Sequence, residues 1–223
     1  MLYNVRVKTY PDGTRQYMYS EKAKLRDYEI EERKSTGEHV ERKEKENNKR
    51  AVQKVFDLAR SNRFDWFITL TFDPKKVDRY SYDDCADAMK RFTKMLCKAD
   101  NTWLIVPEQH EDGAFHFHGL IGGHLNLSHF KDDIYNLDDY DFGFTTAMPI
   151  KDPKRVATYI AKYLTKEISV PKGRKRYWAS RSLNKPTEEF IEMFSDEFGE
   201  LFNNARYQKL IESPYGSFLL CED

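Results

Sequence analysis

Cysteine is scarce: the 223 residues hold three, Cys85, Cys97 and Cys221, odd in number and widely spaced. That argues against a disulfide framework and fits a reducing cytosol. No run approaches the roughly 18 consecutive apolar residues that a membrane span needs, so no membrane partner is expected. The opening MLYNVRVKTY has neither the apolar stretch nor the cleavage site of a signal peptide. There is no G-x-x-x-x-G-K-[ST], and so no phosphate-cradling loop of an ATPase or helicase. Internal repeats are missing too. Net charge is also absent, with 37 Lys/Arg against 37 Asp/Glu.

The charge that is there is unevenly spread. Residues 151–185 carry eleven Lys/Arg against two Asp/Glu, and residues 1–64 carry sixteen against eleven. Residues 65–150 carry eight against fifteen, and residues 186–223 two against nine. A neutral chain with one strongly basic segment is suited to a polyanion bound locally, although a solvated charged loop has the same composition. Aromatics at 14% supply bulky core material, and a mean hydropathy of -0.81 describes a water-soluble chain long enough for one sizeable core.

Periodicity lays out the elements. Residues 2–19 read as a hairpin turning at Pro11-Asp12-Gly13, and residues 21–50 as an exposed charged helix leading into an amphipathic one through Val52, Val55, Phe56 and Leu58. DWFITLTF (65–72) alternates Phe67/Thr69/Thr71 against Ile68/Leu70/Phe72, a strand with two distinct faces that ends at Asp73-Pro74. Tyr82 to Lys98 carries a helical apolar stripe. Trp103–Gln109 and Ala114–Gly122 read as strands around the turn Glu111-Asp112-Gly113. Residues 124–141 form an acidic connection with room for a short helix, 142–150 another strand, and 153–167 a helix with Asp152 as N-cap and Pro153 in its first turn. The sum predicts an α+β fold with a central, mostly antiparallel sheet of about five strands and flanking helices.

Glu108 to Gly119, EQHEDGAFHFHG, is the most informative stretch. On a strand His116 and His118 share one face while Phe117 points to the other. With the hairpin centred on Asp112, Glu108 lies directly opposite His116, and His118 is the diagonal neighbour. Two imidazoles and a carboxylate thus converge, three ligands with open positions. An N/O set of this kind suits Mn²⁺ or Mg²⁺ acting on phosphate, and zinc would accept it too. His110 falls near the turn, as a supporting or substrate-facing residue. Further on, Tyr159, Lys162, Tyr163 and Lys166 share a helical face, with Val156, Ile160 and Leu164 on the adjacent apolar stripe. Cations beside a phenol favour its phenolate, so the two tyrosines are candidate nucleophiles.

In this order, FITLTF, E-x-H-x-x-G-x-x-H-F-H and Y-I-A-K-Y-L-T-K (159–166), the motifs resemble those of HUH endonucleases. The two-tyrosine helix is most similar to that of rolling-circle replication initiators of small single-stranded-DNA phages and related plasmids. The resemblance implies a palm-like sheet, a divalent metal on His116, His118 and Glu108, Tyr159 or Tyr163 as nucleophile, and Lys162 near the scissile phosphate. It implies a nick in single-stranded origin DNA through a 5′-phosphotyrosine, with a free 3′-OH left to prime synthesis. Host helicase and DNA polymerase are the expected partners, in the cytoplasm of a bacterial host. Residues 64–185 are then the nuclease core, 1–63 a hairpin and charged helix within the same domain, and 186–223 an acidic tail packed on or trailing it. Within the basic segment 172–181, Arg174, Lys175, Arg176 and Arg181 are candidate grips for a DNA backbone, and Tyr177 and Trp178 for its bases. Two other readings remain: a relaxase or transposase with the same core, and a single-stranded nucleic-acid-binding module without turnover.

Overall fold

The computed structural model describes residues 2–25, 37–164, 170–171, 173–213 and 216–222. In chain order its elements are β1 (Leu2–Thr9), β2 (Arg15–Leu25), α1 (Gly37–Arg60), β3 (Trp66–Thr71), α2 (Tyr82–Lys98), β4 (Thr102–Gln109) and β5 (Phe115–Gly122). They continue with β6 (Leu127–Lys131), β7 (Ile134–Leu137), β8 (Thr145–Pro149), α3 (Pro153–Tyr163), β9 (Trp178–Ala179), β10 (Thr187–Ile191), α4 (Ser195–Asn204), β11 (Tyr207–Ser213) and β12 (Gly216–Glu222). The fold is α+β, as the periodicity predicts.

Two compact units divide the chain, one of residues 1–35 with 185–223, the other of residues 36–184. In the first, five antiparallel strands run in the order β10-β1-β2-β12-β11. Phe198 of α4 fills its core against Val5, Val7, Tyr17 and Cys221, and stacks on Tyr19 at 4.7 Å between ring centroids. The sequence reading assigns 1–63 to the nuclease domain and leaves 186–223 as a tail. Here the tail pairs with the N-terminal hairpin instead, β10 on β1 and β12 on β2. β2 also continues to Leu25, where a charged helix is read from position 21.

The second unit carries the motifs. Its antiparallel sheet has seven strands, β6-β7-β8-β3-β5-β4-β9, more than the five predicted. The acidic connection supplies two of them as the β6–β7 hairpin rather than a helix, and β9 adds an edge. Alternation gives the sheet two buried faces. Ile68, Leu70, Ile105, Phe115, Phe117 and Ile121 pack with Met89 and Phe92 of α2 on one side. Phe67, Leu104, Val106 and Leu120 pack with Val55 of α1 and Ile160 of α3 on the other. Each helix starts where its side chains dictate: the Ser81 hydroxyl accepts from Asp84 N–H, and Asp152 Oδ1 accepts from Arg155 N–H at 3.1 Å.

Beyond β3 and β8 the ladder continues: Thr71 N–H donates to Phe144 O at 2.9 Å and Asp73 N–H to Phe142 O at 2.8 Å. Gly143 sits between. A Cβ there would stand 2.6 Å from Asp73 N and 2.9 Å from Phe72 C, backbone atoms that cannot step aside. Gly143→Ala should therefore cost about 3 kcal/mol. In a thermal melt that is a fall in Tm of roughly 6–12 °C. An unchanged Tm would mean the two strand ends are far looser than this packing implies.

Candidate active site

Register brings the predicted residues together. Glu108 is paired with His116 across β4 and β5, and on the opposite side of β5 His116 is paired with Thr71 and His118 with Thr69. All these side chains lie on the sheet face toward α3. His118 Nε2–H donates to Glu108 Oε2 at 2.6 Å, while its Nδ1 meets the Thr69 hydroxyl at 3.2 Å. The Thr71 hydroxyl reaches His116 Nδ1 at 3.3 Å. The carboxylate's strongest partner is thus the diagonal histidine, not the one directly opposite. His110 stacks on His116 at 3.9 Å between centroids, with its Nε2 3.7 Å from Glu108 Oε2.

Glu108 and His118 are almost wholly covered, 5% and 6% exposed. Burial disfavours the imidazolium more than the Glu108 hydrogen bond favours it, so the His118 pKa falls to about 4 and the ring is neutral at pH 7. His116 is lowered as well, first by burial and then by His110, with Arg79 adding to the effect and Glu108 and Asp112 opposing it. Neutral imidazoles, each with Nδ1 held by a threonine, leave Nε2 as the ligating atom. In kind, these donors fit a divalent cation. As they stand, Glu108 and His118 spend their donor atoms on each other. Among the described residues no group of three His, Cys, Asp or Glu is arranged to hold a metal ion.

The α3 tyrosines close over this patch. Tyr163 lies flat on His118, rings 3.7 Å apart and 17° from parallel, and its hydroxyl donates to the Tyr159 hydroxyl at 2.7 Å. Both rings also contact Phe67. Tyr159 is 48% exposed, whereas Tyr163 is half-buried. The Tyr163 phenol is pushed above the usual range, mainly by burial and further by its bond to Tyr159. The neighbouring lysines do not offset this, contrary to the expectation that they favour its phenolate. Lys162 is on the exposed side of α3, and Lys166 lies outside the described residues.

The basic segment is split. Arg176 Nη1 bonds Asn48 Oδ1 at 3.3 Å, and Tyr177 packs beside the α1/α3 core. Arg174 pairs with Asp83 on α2 at 2.6 Å, and the Lys175 carbonyl accepts from the Tyr82 hydroxyl. Trp178, read as a base-stacking residue, is 7% exposed and packed against Phe117 and Tyr82. Lys175 and Arg181 are exposed. The sequence reading does not single out Thr69 and Thr71. Their signal is the alternation of FITLTF, which sets two hydroxyls on the face that meets the histidines.

These features define a class: an α+β protein whose antiparallel sheet shows a paired-histidine and carboxylate patch to a helix bearing two tyrosines one turn apart. Residues 65–168, which contain all three motifs, match the family model of the replication-associated protein ORF2. That match bears out the resemblance to rolling-circle replication initiators. Comparison with curated proteins and with solved structures found no match. Among the described residues no helix is long and apolar enough to cross a membrane.

Proposed function

We propose that the chain is a replication initiator endonuclease that nicks single-stranded origin DNA by transesterification. The observation that carries the reading is the Tyr159–Tyr163 hydroxyl pair, 2.7 Å apart, with Tyr163 resting on His118 of the Glu108/His116/His118 patch. One phenol oxygen attacks the scissile phosphorus. The 3′ oxygen leaves, takes up a proton, and becomes the primer end. The strand stays joined to the enzyme as a 5′-phosphotyrosine, and a second attack by the other tyrosine, or by a 3′-OH, rejoins strands.

Glu108, His116 and His118 would hold the divalent cation, Mn²⁺ or Mg²⁺. When bound, it polarises the phosphate and balances charge developing on it. Thr69 and Thr71 keep the two imidazoles turned so that Nε2 faces the substrate. Exposed Lys162 lies one residue from Tyr163 and three from Tyr159, where it can pair with a phosphate oxygen. Lys175, Arg176 and Arg181 lead the strand away from the site. Origin DNA is the substrate partner, and a host helicase and DNA polymerase would act on the opened strand and its 3′-OH.

The direct test incubates the full chain with single-stranded oligonucleotides in Mn²⁺ or Mg²⁺ and looks for a band that survives denaturation. A protein–DNA adduct together with a new 3′-OH end is expected. Cleavage that leaves free 5′-phosphate ends and no adduct would assign the chemistry to water instead.

A further inference from the structure

At the turn end of the β4–β5 hairpin, beside the His110–His116 stack, lies a pair of residues that the chemistry above does not use. Arg79 and Tyr80 belong to the loop between β3 and α2. That loop is tied down. Tyr80 N–H donates to Asp78 Oδ1 at 3.0 Å, Cys85 Sγ–H meets Asp78 O at 3.5 Å, and Val77 is buried in the core. Most tellingly, Arg79 O accepts from Phe115 N–H at 2.8 Å, which fixes this residue against the start of β5, one position before His116.

The guanidinium of Arg79 has donors to spare. Nη2 donates to the Tyr80 hydroxyl at 3.0 Å, Nε–H is buried with no hydrogen-bond partner among the described residues, and the group stands 5.2 Å above the Tyr80 ring. Its ionic partner Asp112 is 3.8 Å away and largely exposed, a pair worth little in water. Yet the charge is close enough to act on His116. Tyr80 itself is 54% exposed, a flat ring open to solvent. A fork of donors suits a phosphate diester, and an exposed phenol ring suits an unstacked base. The region from 65 to 150 is acidic on balance, so an arginine anchored at the edge of the patch is out of keeping with a merely solvated surface.

We propose that Arg79 and Tyr80 are a second grip on single-stranded DNA: Arg79 takes a phosphate flanking the one that is cut, and Tyr80 stacks on the adjoining base. The inference rests on the endonuclease reading. Asp112 holds the arginine in place until a phosphate replaces it. Because the loop is already fixed, little ordering is lost on binding.

The test is anisotropy of a labelled single strand with the full chain in chelator, across a salt series. Arg79→Ala should weaken binding about tenfold and lower the log–log salt slope by roughly 0.7, one phosphate contact. Arg79→Gln, which keeps most of the stem, should lower the slope alike. Tyr80→Ala should weaken binding about tenfold at unchanged slope, and Tyr80→Phe should restore it. Asp112→Asn, which keeps the turn's acceptor, should tighten binding about twofold. If wild type binds and forms adducts while folded Arg79→Ala and Arg79→Gln match it in affinity and slope, the grip is wrong and the endonuclease reading stands. Equal weakening by Arg79→Gln and Asp112→Asn would reduce the pair to a structural contact. A wild type that neither binds nor cuts takes the endonuclease reading down first, and this inference with it.

Discussion

Changing both Tyr159 and Tyr163 to Phe is expected to abolish covalent adduct formation, a loss of at least about 10³-fold, as when a nucleophile is removed outright. The substitution should leave the fold standing. Tyr159 is half exposed, and the Tyr163 ring can keep its place on His118 without its hydroxyl. What disappears is one hydroxyl–hydroxyl bond, about 1 kcal/mol. The readout is therefore chemical. Single variants separate the roles: one is expected to lose the first nick, the other to nick but fail to release circular product. Nicking by both singles would mean the two phenols substitute for one another. Adduct made by the double variant would place the nucleophile on another residue and end the proposal.

Removing His118 should be nearly as severe for activity and more costly for stability. His118→Ala takes away the one strong partner of a buried carboxylate, so the unfolding free energy should fall by about 3 kcal/mol. It also takes the surface on which Tyr163 rests. Adduct formation should drop by roughly 10³-fold, the scale of several kcal/mol of lost charge stabilisation at the phosphate. His116→Ala should match it in activity at a smaller stability cost, since that ring is only half-buried. Glu108→Ala should move activity in the same direction. The measurements are adduct yield over a Mn²⁺ and Mg²⁺ titration, and a melt of each variant. Full adduct yield in excess chelator would overturn the metal-ligand role given to all three residues.

Much of this site can be read in the sequence because its geometry is local. A short turn with Gly113 at φ 87° fixes the hairpin register, and counting from Asp112 sets Glu108 opposite His116. Helical spacing alone puts Tyr159 and Tyr163 on one face. Beyond that, distance along the chain defeats the reading. Asn4 bonds the Met193 backbone, 189 positions away, and nothing local in a run of acidic residues announces that it will pair with the N-terminal hairpin. Trp178 misleads because its basic neighbours suggest solvent, while the hydrophobic effect draws a large indole inward. Tyr163 misleads in the opposite sense: lysines adjacent in sequence matter less to a phenol than the water it has lost.

The hairpin has one more consequence. All three candidate ligands come from a single stretch of eleven residues, folded once about its turn. Adding or deleting one residue at Glu111–Gly113 would send one arm's side chains through the sheet to the α2 side. The loop that holds Arg79 and the segment that holds Arg176 are under no such restriction. Variation in length there alters where a strand is gripped and leaves the cutting groups in place. Relatives that open different origins can therefore differ in those two segments while sharing a turn of invariant length.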